Sequence, residues 1–264
     1  MRAGMIDMES NTTLVQNYPA HEAVPDGQGP FPGVVVFHER FGLNLHVKGI
    51  ANRLAREGFY ALAPNFYALP SSFADVAPVL MHALSTGSID YKDELLAREH
   101  AATLSDERAE TVFRQAFNYL ATRAKARSGG MGAVGFSMGA RLAFLAACRM
   151  PEEVRACVCF YGAGIANAAA PHPGQSHPIE QAESLRASLM LFYGQLDDTI
   201  RAEERERIRE RLTSLGKDFR IEVFPEAGHD FFCSDRESYR IHASKLAWEE
   251  TLALLRRSLG GVPV

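Results

Sequence analysis

The sequence is poor in the features that mark specialised chains. Only four of its 264 residues are cysteine, at positions 148, 157, 159 and 233, with no CxxC pair and no Cys/His spacing suited to a metal. That argues against a disulfide-stapled secreted scaffold, and no metal is expected. Cys157 and Cys159 lie two apart in an apolar run, so they share one strand face and read as buried thiols. No apolar run approaches the ~18 residues of a membrane span. The opening MRAGMIDMES lacks the apolar stretch of a signal peptide, so the expectation is a cytoplasmic protein without a membrane partner. Charge of neither sign dominates. Twenty-eight Lys and Arg against 32 Asp and Glu leave a net charge of −4, which offers no basic footprint for nucleic acid. Internal repeats and low-complexity tracts are also missing.

What remains is an ordinary globular composition, 47% hydrophobic and 23% charged, in a chain long enough to bury a core without staples. Residues 1–32 read as an irregular segment that ends in the turn-rich Pro25-Asp26-Gly27-Gln28-Gly29-Pro30-Phe31-Pro32. From residue 33 short apolar runs recur: Gly33–Phe37, Phe59–Ala63, Met131–Phe136, Val154–Tyr161, Ser188–Tyr193 and Phe219–Phe224. Continuous apolar strands of this kind belong to parallel sheets covered on both faces. Helix-period segments alternate with them, at 47–56, 108–126, 138–148, 202–215 and 237–259. Strand–helix alternation without a linker predicts one α/β domain over residues 33–264, with a mostly parallel, doubly wound sheet. Two excursions, 69–105 and 163–184, exceed ordinary connections and read as binding loops or lids. The run RAEERERIRER at 201–211 reads as a solvated helix laced with ion pairs.

The chemistry starts at Gly135-Phe136-Ser137-Met138-Gly139, a G-x-S-x-G pattern between a strand pattern and a helix pattern. A strand that turns sharply into a helix lifts the serine above the sheet, and the flanking glycines let the chains approach. Serine needs a base to be a nucleophile. Downstream, Asp197 and Asp198 both follow a strand end, and His229 stands on the loop after the last strand; the order Ser, acid, His is that of α/β-hydrolases. In that arrangement the histidine is the general base, and the aspartate holds its tautomer. The amide of Met138 would be one oxyanion donor. The loop Phe37-His38-Glu39-Arg40-Phe41-Gly42-Leu43-Asn44, after the first core strand, is where the second should lie.

The segments GPFPGVVVFHERFGLN, LAREGFYALAPNFY, GAVGFSMGARLA, FYGQLDD, FPEAGHDFF and RESYRIHASKLAWEETLALL resemble dienelactone hydrolase (carboxymethylenebutenolidase) family proteins over residues 29–257. The resemblance implies an α/β-hydrolase fold with a minimal cap. It implies hydrolysis of a small-molecule ester or lactone without a cofactor. It places the nucleophile at Ser137, the acid at Asp197 rather than Asp198, the base at His229, the active-site glutamate at Glu39 and the second oxyanion amide at Arg40. The chain departs from the family in two ways. Its best-known members carry cysteine at the nucleophile, so the thiol whose ionisation their glutamate governs is replaced by the Ser137 hydroxyl. Two arginines that clamp a substrate carboxylate are replaced by Leu69 and Cys233, which predicts a preference for uncharged substrates. The alternatives are another acyl-transfer or peptidase chemistry on the same residues, or a catalytically silent hydrolase fold that acts as a binding module.

Overall fold

The computed structural model describes residues 12–15, 18–67, 88–167, 169 and 171–260. Among them an eight-stranded sheet forms the centre of the molecule, in the order β1-β2-β4-β3-β5-β6-β7-β8. Its strands are β1 (Thr12–Val15), β2 (Tyr18–Ala23), β3 (Gly33–Phe37), β4 (Tyr60–Pro64), β5 (Met131–Phe136), β6 (Val154–Phe160), β7 (Ser188–Gly194) and β8 (Phe219–Phe224). From β4 to β8 every neighbouring pair is parallel. The helices are α1 (Leu45–Arg56), α2 (Glu94–Thr103), α3 (Asp106–Ala121), α4 (Met138–Arg149), α5 (Ala202–Ser214) and α6 (Ile241–Leu259), with a 3₁₀ helix at Pro178–Ser184. This is the doubly wound α/β-hydrolase arrangement. The apolar runs decide it: β3, β4 and β5 are buried at every position, which requires helices on both faces. Strand β8, at the sheet edge, is only half-buried.

The N-terminal region differs from the sequence expectation. Within residues 1–32, which read as irregular, two strands form: β1 pairs antiparallel with β2, and β2 pairs antiparallel with β4. The run YPAHEA has few apolar residues and carries polar ones at inward positions, so it lacks the pattern of a core strand. His21 is buried all the same, with Nε2 2.9 Å from Asn52 Oδ1 on α1. Its partner on another element, rather than local hydropathy, makes this segment a strand.

Helix ends follow caps. Asn44 starts α1, its Oδ1 accepting from Val47 N at 3.0 Å, and Ser105 starts α3 by accepting from Arg108 N. The Ser105 cap sets the start of α3 at 106; its end at 121, short of 126, leaves Lys125 O to accept from Phe31 N. The 201–211 run is less solvated than its composition suggests. Glu204 turns inward and accepts from Gly164 N and Ala166 N, and Arg205 donates to the carbonyls of Gly194 and Ile200. That helix therefore anchors the loop after β6.

Two glycines make opposite demands. A Cβ at Gly139 would lie 2.3 Å from Phe37 O and 2.4 Å from His38 O, whereas one at Gly49, inside α1, meets nothing within 4 Å. Gly139→Ala is expected to lose at least ~2 kcal/mol of stability by overpacking against backbone. Gly49→Ala is expected to gain about 0.5–1 kcal/mol through helix propensity. Paired denaturant titrations check both signs.

Candidate active site

Ser137 sits where β5 breaks into α4. Its φ of 51° is in the left-handed region, and its ψ is −116°. A non-glycine residue held there stores strain that the surroundings must impose. They do so by contact. A Cβ at Gly135 would be 2.2 Å from Gly139 O, so the strand end and the first helical turn pack backbone to backbone. Ser137 N donates to Phe160 O at 2.9 Å, which ties the turn to β6.

The loops after β7 and β8 are joined in the same way. Gln195 N donates to Phe224 O and Leu196 N to Ala227 O, both at 2.9 Å. Gly194 permits this, since a Cβ there would lie 2.3 Å from Ala227 O. The two loops carry Asp197 and His229. Asp197 is buried; its Oδ1 accepts from the backbone of Thr199 and Ile200, and its Oδ2 accepts from His229 Nδ1 at 2.8 Å. His229 Nε2 then faces Ser137 Oγ at 3.0 Å. Asp198 points to solvent. A proton on Nδ1 leaves Nε2 free to accept from the serine hydroxyl. Burial disfavours a charged His229, but the Asp197 hydrogen bond and the charges of Asp230 and Asp197 outweigh it, so its pKa lies above the ordinary 6.5.

The loop after β3 closes the site. His38 is fully buried, and its Nε2 accepts from Phe66 N at 3.0 Å. The proton is therefore on Nδ1, which donates to Glu39 O at 2.7 Å. Burial holds His38 neutral, with a pKa of about 4. Tyr67 OH donates to Arg40 O at 2.8 Å. Both carbonyls that flank the Arg40 amide are thus pinned. Among the described residues neither the Arg40 nor the Met138 amide donates to another group, so both are available to a ligand oxygen. Gly42, at φ 81°, makes the turn that leads into Asn44 and α1.

The Glu39 side chain is buried in the same region, and its Oε1 has no partner among the described residues. Burial and then the charge of Asp230 push its pKa up to about 7, against the pull of Arg236, Arg40 and His229.

A cavity of about 580 Å³ opens beside Ser137. Its walls combine Met138, Leu142 and Ala163 with Arg40, Arg98 and Arg141, and among the described residues no carboxylate lines it. Glu94 Oε1 holds both Arg40 and Arg98, at 2.5 and 3.0 Å. Arg141 is paired with Asp106 at 2.7 Å. Asp106 also accepts from Ser176 N and Oγ, which ties that part of the 163–184 excursion to the body. Of the two positions expected to leave the pocket uncharged, Leu69 lies outside the described residues. Cys233 is buried, with Sγ 3.4 Å from Tyr91 OH. Of the three guanidinium groups in its walls, that of Arg40 comes from the loop after β3.

Sequence reasoning missed three residues of this neighbourhood. His38 stands in the loop motif with no role assigned to it, since that role depends on Phe66, 28 positions away. Tyr161 follows β6 at φ 39° and packs its ring 5.2 Å from that of His229. Asp230 follows His229 directly, and its Oδ1 lies 3.5 Å from His229 Nε2. A sequence gives adjacency but not which ring nitrogen a neighbour faces.

Residues 19–259 match the model of the dienelactone hydrolase family. A protein of Synechocystis sp., whose name ascribes carboxymethylenebutenolidase activity to it, is 30% identical over 261 residues, covering 96% of this chain and 99% of its own. An Escherichia coli K12 protein to which the same activity is ascribed is 30% identical over 240 residues, covering 89% and 81%. A crystal structure from Klebsiella pneumoniae, described by the same kind of ascription as a dienelactone hydrolase, superposes with a TM-score of 0.75 at 27% identity. It covers 93% of this chain and 97% of that one.

The buried glutamate yields a stability prediction. Glu39 keeps its proton to about 7 when folded, against an ordinary 4.5. Between these values the unfolded chain sheds the proton first, so stability falls as pH rises through that window. Glu39→Gln removes this loss. Its melting temperature relative to the native chain is expected to climb between about pH 5 and pH 8, and a flat difference would show that Glu39 is ionised throughout.

Proposed function

The chain belongs to the dienelactone hydrolase family, and from that premise we propose that it hydrolyses carboxylic esters or lactones through a Ser137–His229–Asp197 triad and an acyl-enzyme. Membership makes it a carboxylic ester or lactone hydrolase. The observation that supports this mechanism is the continuous hydrogen-bonded line from Ser137 Oγ to His229 Nε2 and from His229 Nδ1 to Asp197 Oδ2.

In this reading the Ser137 hydroxyl passes its proton to His229 Nε2 as Oγ bonds to the substrate carbonyl carbon. Asp197 keeps the imidazole in the accepting tautomer and balances the imidazolium. The amides of Met138 and Arg40 receive the oxyanion. Collapse breaks the bond to the leaving oxygen, which takes the proton from Nε2. Water then repeats the sequence on the acyl-enzyme: it gives a proton to His229, its oxygen bonds to the acyl carbon, and the Ser137 Oγ–acyl bond breaks as the proton returns to Ser137. No step requires a cofactor.

Other acyl transfer would use the same first half. The described cavity walls favour a compact substrate, with Met138, Leu142 and Ala163 against the acyl or alkyl part. The cations Arg40 and Arg98 suit acceptor or acidic substituents.

Ser137→Ala is expected to retain the fold and lose nearly all turnover of p-nitrophenyl acetate. Asp197→Asn should cost orders of magnitude in kcat/KM, and Asp198→Asn little. In the native enzyme kcat/KM should rise with pH as His229 loses its proton, with a midpoint above the ordinary 6.5 because neutral imidazole is the base. Native-like turnover in the alanine variant would remove Ser137 from the mechanism.

Substrate charge gives a separate test. A choline-type cationic ester is expected to have a kcat/KM at least about tenfold below that of a neutral ester of equal size, since Arg40 and Arg98 repel it. Arg98→Gln should narrow the gap. Equal rates would place the substrate elsewhere.

A further inference from the structure

Asp230 is a buried charge beside the reacting line that the reaction described above does not use. Its φ is 58°, in the left-handed region that aspartate, asparagine and glycine tolerate best. That conformation turns the carboxylate back onto the neighbouring imidazole. Oδ1 lies 3.5 Å from His229 Nε2, the nitrogen that faces Ser137, and Oδ1 has no hydrogen-bond partner among the described residues. Oδ2 is 3.2 Å from Arg236 Nη2. The Arg236 guanidinium itself packs against two rings, 4.5 Å from the centroid of Phe41 and 4.6 Å from that of Tyr91. A cation seated on two rings thus pairs with a carboxylate that keeps one oxygen free for the histidine.

We infer that Asp230 is a positioning residue for the hydrolysis, supplying a second carboxylate to His229, so that the imidazolium formed during acyl transfer has Asp197 at Nδ1 and Asp230 at Nε2. The inference rests on the triad proposed above. An opposite charge within ~4–6 Å favours the protonated ring by roughly one to three pKa units.

The groups around His229 come from five elements. Asp197 reaches it from the loop after β7, Ser137 from the elbow, Tyr161 from the end of β6, Glu39 and Arg40 from the loop after β3, and Asp230 and Arg236 from the segment after β8. Burial and Arg40 oppose a charged ring, and the two aspartates support it. Glu39 is largely protonated below about 7 and adds little there. The arrangement has two consequences. Asp230 stabilises the charge that builds on His229 as Ser137 attacks, and it leaves more of the free enzyme protonated, and so idle, near neutral pH.

The test replaces Asp230 by Asn and, separately, by Gly, both of which accept the backbone conformation while removing the charge. The acid limb of kcat/KM for p-nitrophenyl acetate is expected to move down by about one pH unit, with a lower plateau kcat and little change in KM. The same shift is expected in a Glu39→Gln background, where Glu39 cannot titrate. An NMR titration of His229 in Ser137→Ala and in Ser137→Ala with Asp230→Asn should show the same displacement without any turnover. This separates the role of Asp230 from the triad proposal, which fails instead if Ser137→Ala stays active. An unmoved limb and unmoved His229 titration would overturn the inference. So would a lower melting temperature with an unmoved limb, the signature of a purely structural Asp230–Arg236 pair.

Discussion

The close approach of Gly139 to the end of β3 is the constraint on which the site depends. With the carbonyls of Phe37 and His38 within 2.4 Å of where a Cβ would be, α4 starts directly against the strand next to its own. That contact brings the Met138 amide to the loop that carries the Arg40 amide. It also forces the chain to turn within one residue, which accounts for the φ of 51° at Ser137. The serine is therefore raised above the sheet by backbone packing while it stays buried, and its backbone position does not rely on side-chain contacts that a single substitution could loosen. Gly194 repeats the device one layer over, where the loops bearing Asp197 and His229 share two backbone hydrogen bonds.

Around this rigid frame lies a concentration of buried polar groups. His38 is kept neutral and spends both ring nitrogens on backbone, so it acts as a strut between β3 and the end of β4. Buried Glu39 and Asp230 and half-buried Arg236 form a group in which the carboxylates oppose each other and the arginine offsets them. Such a cluster is costly in an apolar interior. Its cost falls on one side of His229, where the proposed acyl transfer would change the charge, and perturbed groups of this kind concentrate at functional sites. With serine at position 137, Glu39 has no thiol to control. In this chain burial instead raises the pKa of the glutamate to about 7, and Asp230 is the carboxylate nearest to Nε2.

The sequence carried the sheet because β3, β4 and β5 are uninterrupted apolar runs that need cover on both faces. It carried the elbow because glycines at 135 and 139, which have a steric purpose, stand between a strand pattern and a helix pattern. Position could not separate Asp197 from Asp198, since adjacent residues on one turn are equivalent until the side chains are placed. The structure then turns the first onto His229 and leaves the second in solvent. Strands β1 and β2 were illegible because an edge pair with polar residues is held by its partner and not by its own hydropathy. Glu204 and Arg205 were misread within a charged run because their partners, Gly164, Ala166, Gly194 and Ile200, lie on other loops. The contact of Asp230 with Nε2 depends on one backbone dihedral, which composition does not record.

The central claim is that the elbow presents Ser137 as a covalent nucleophile. Its most direct measurement is rapid acid quenching of the enzyme during turnover of p-nitrophenyl acetate, followed by mass spectrometry of the proteolytic peptides. The account predicts an acetyl adduct on the peptide containing Ser137, formed at the rate of the p-nitrophenol burst and lost at the rate of steady-state turnover. Turnover with no adduct on that peptide, or with the adduct on another residue, would contradict it.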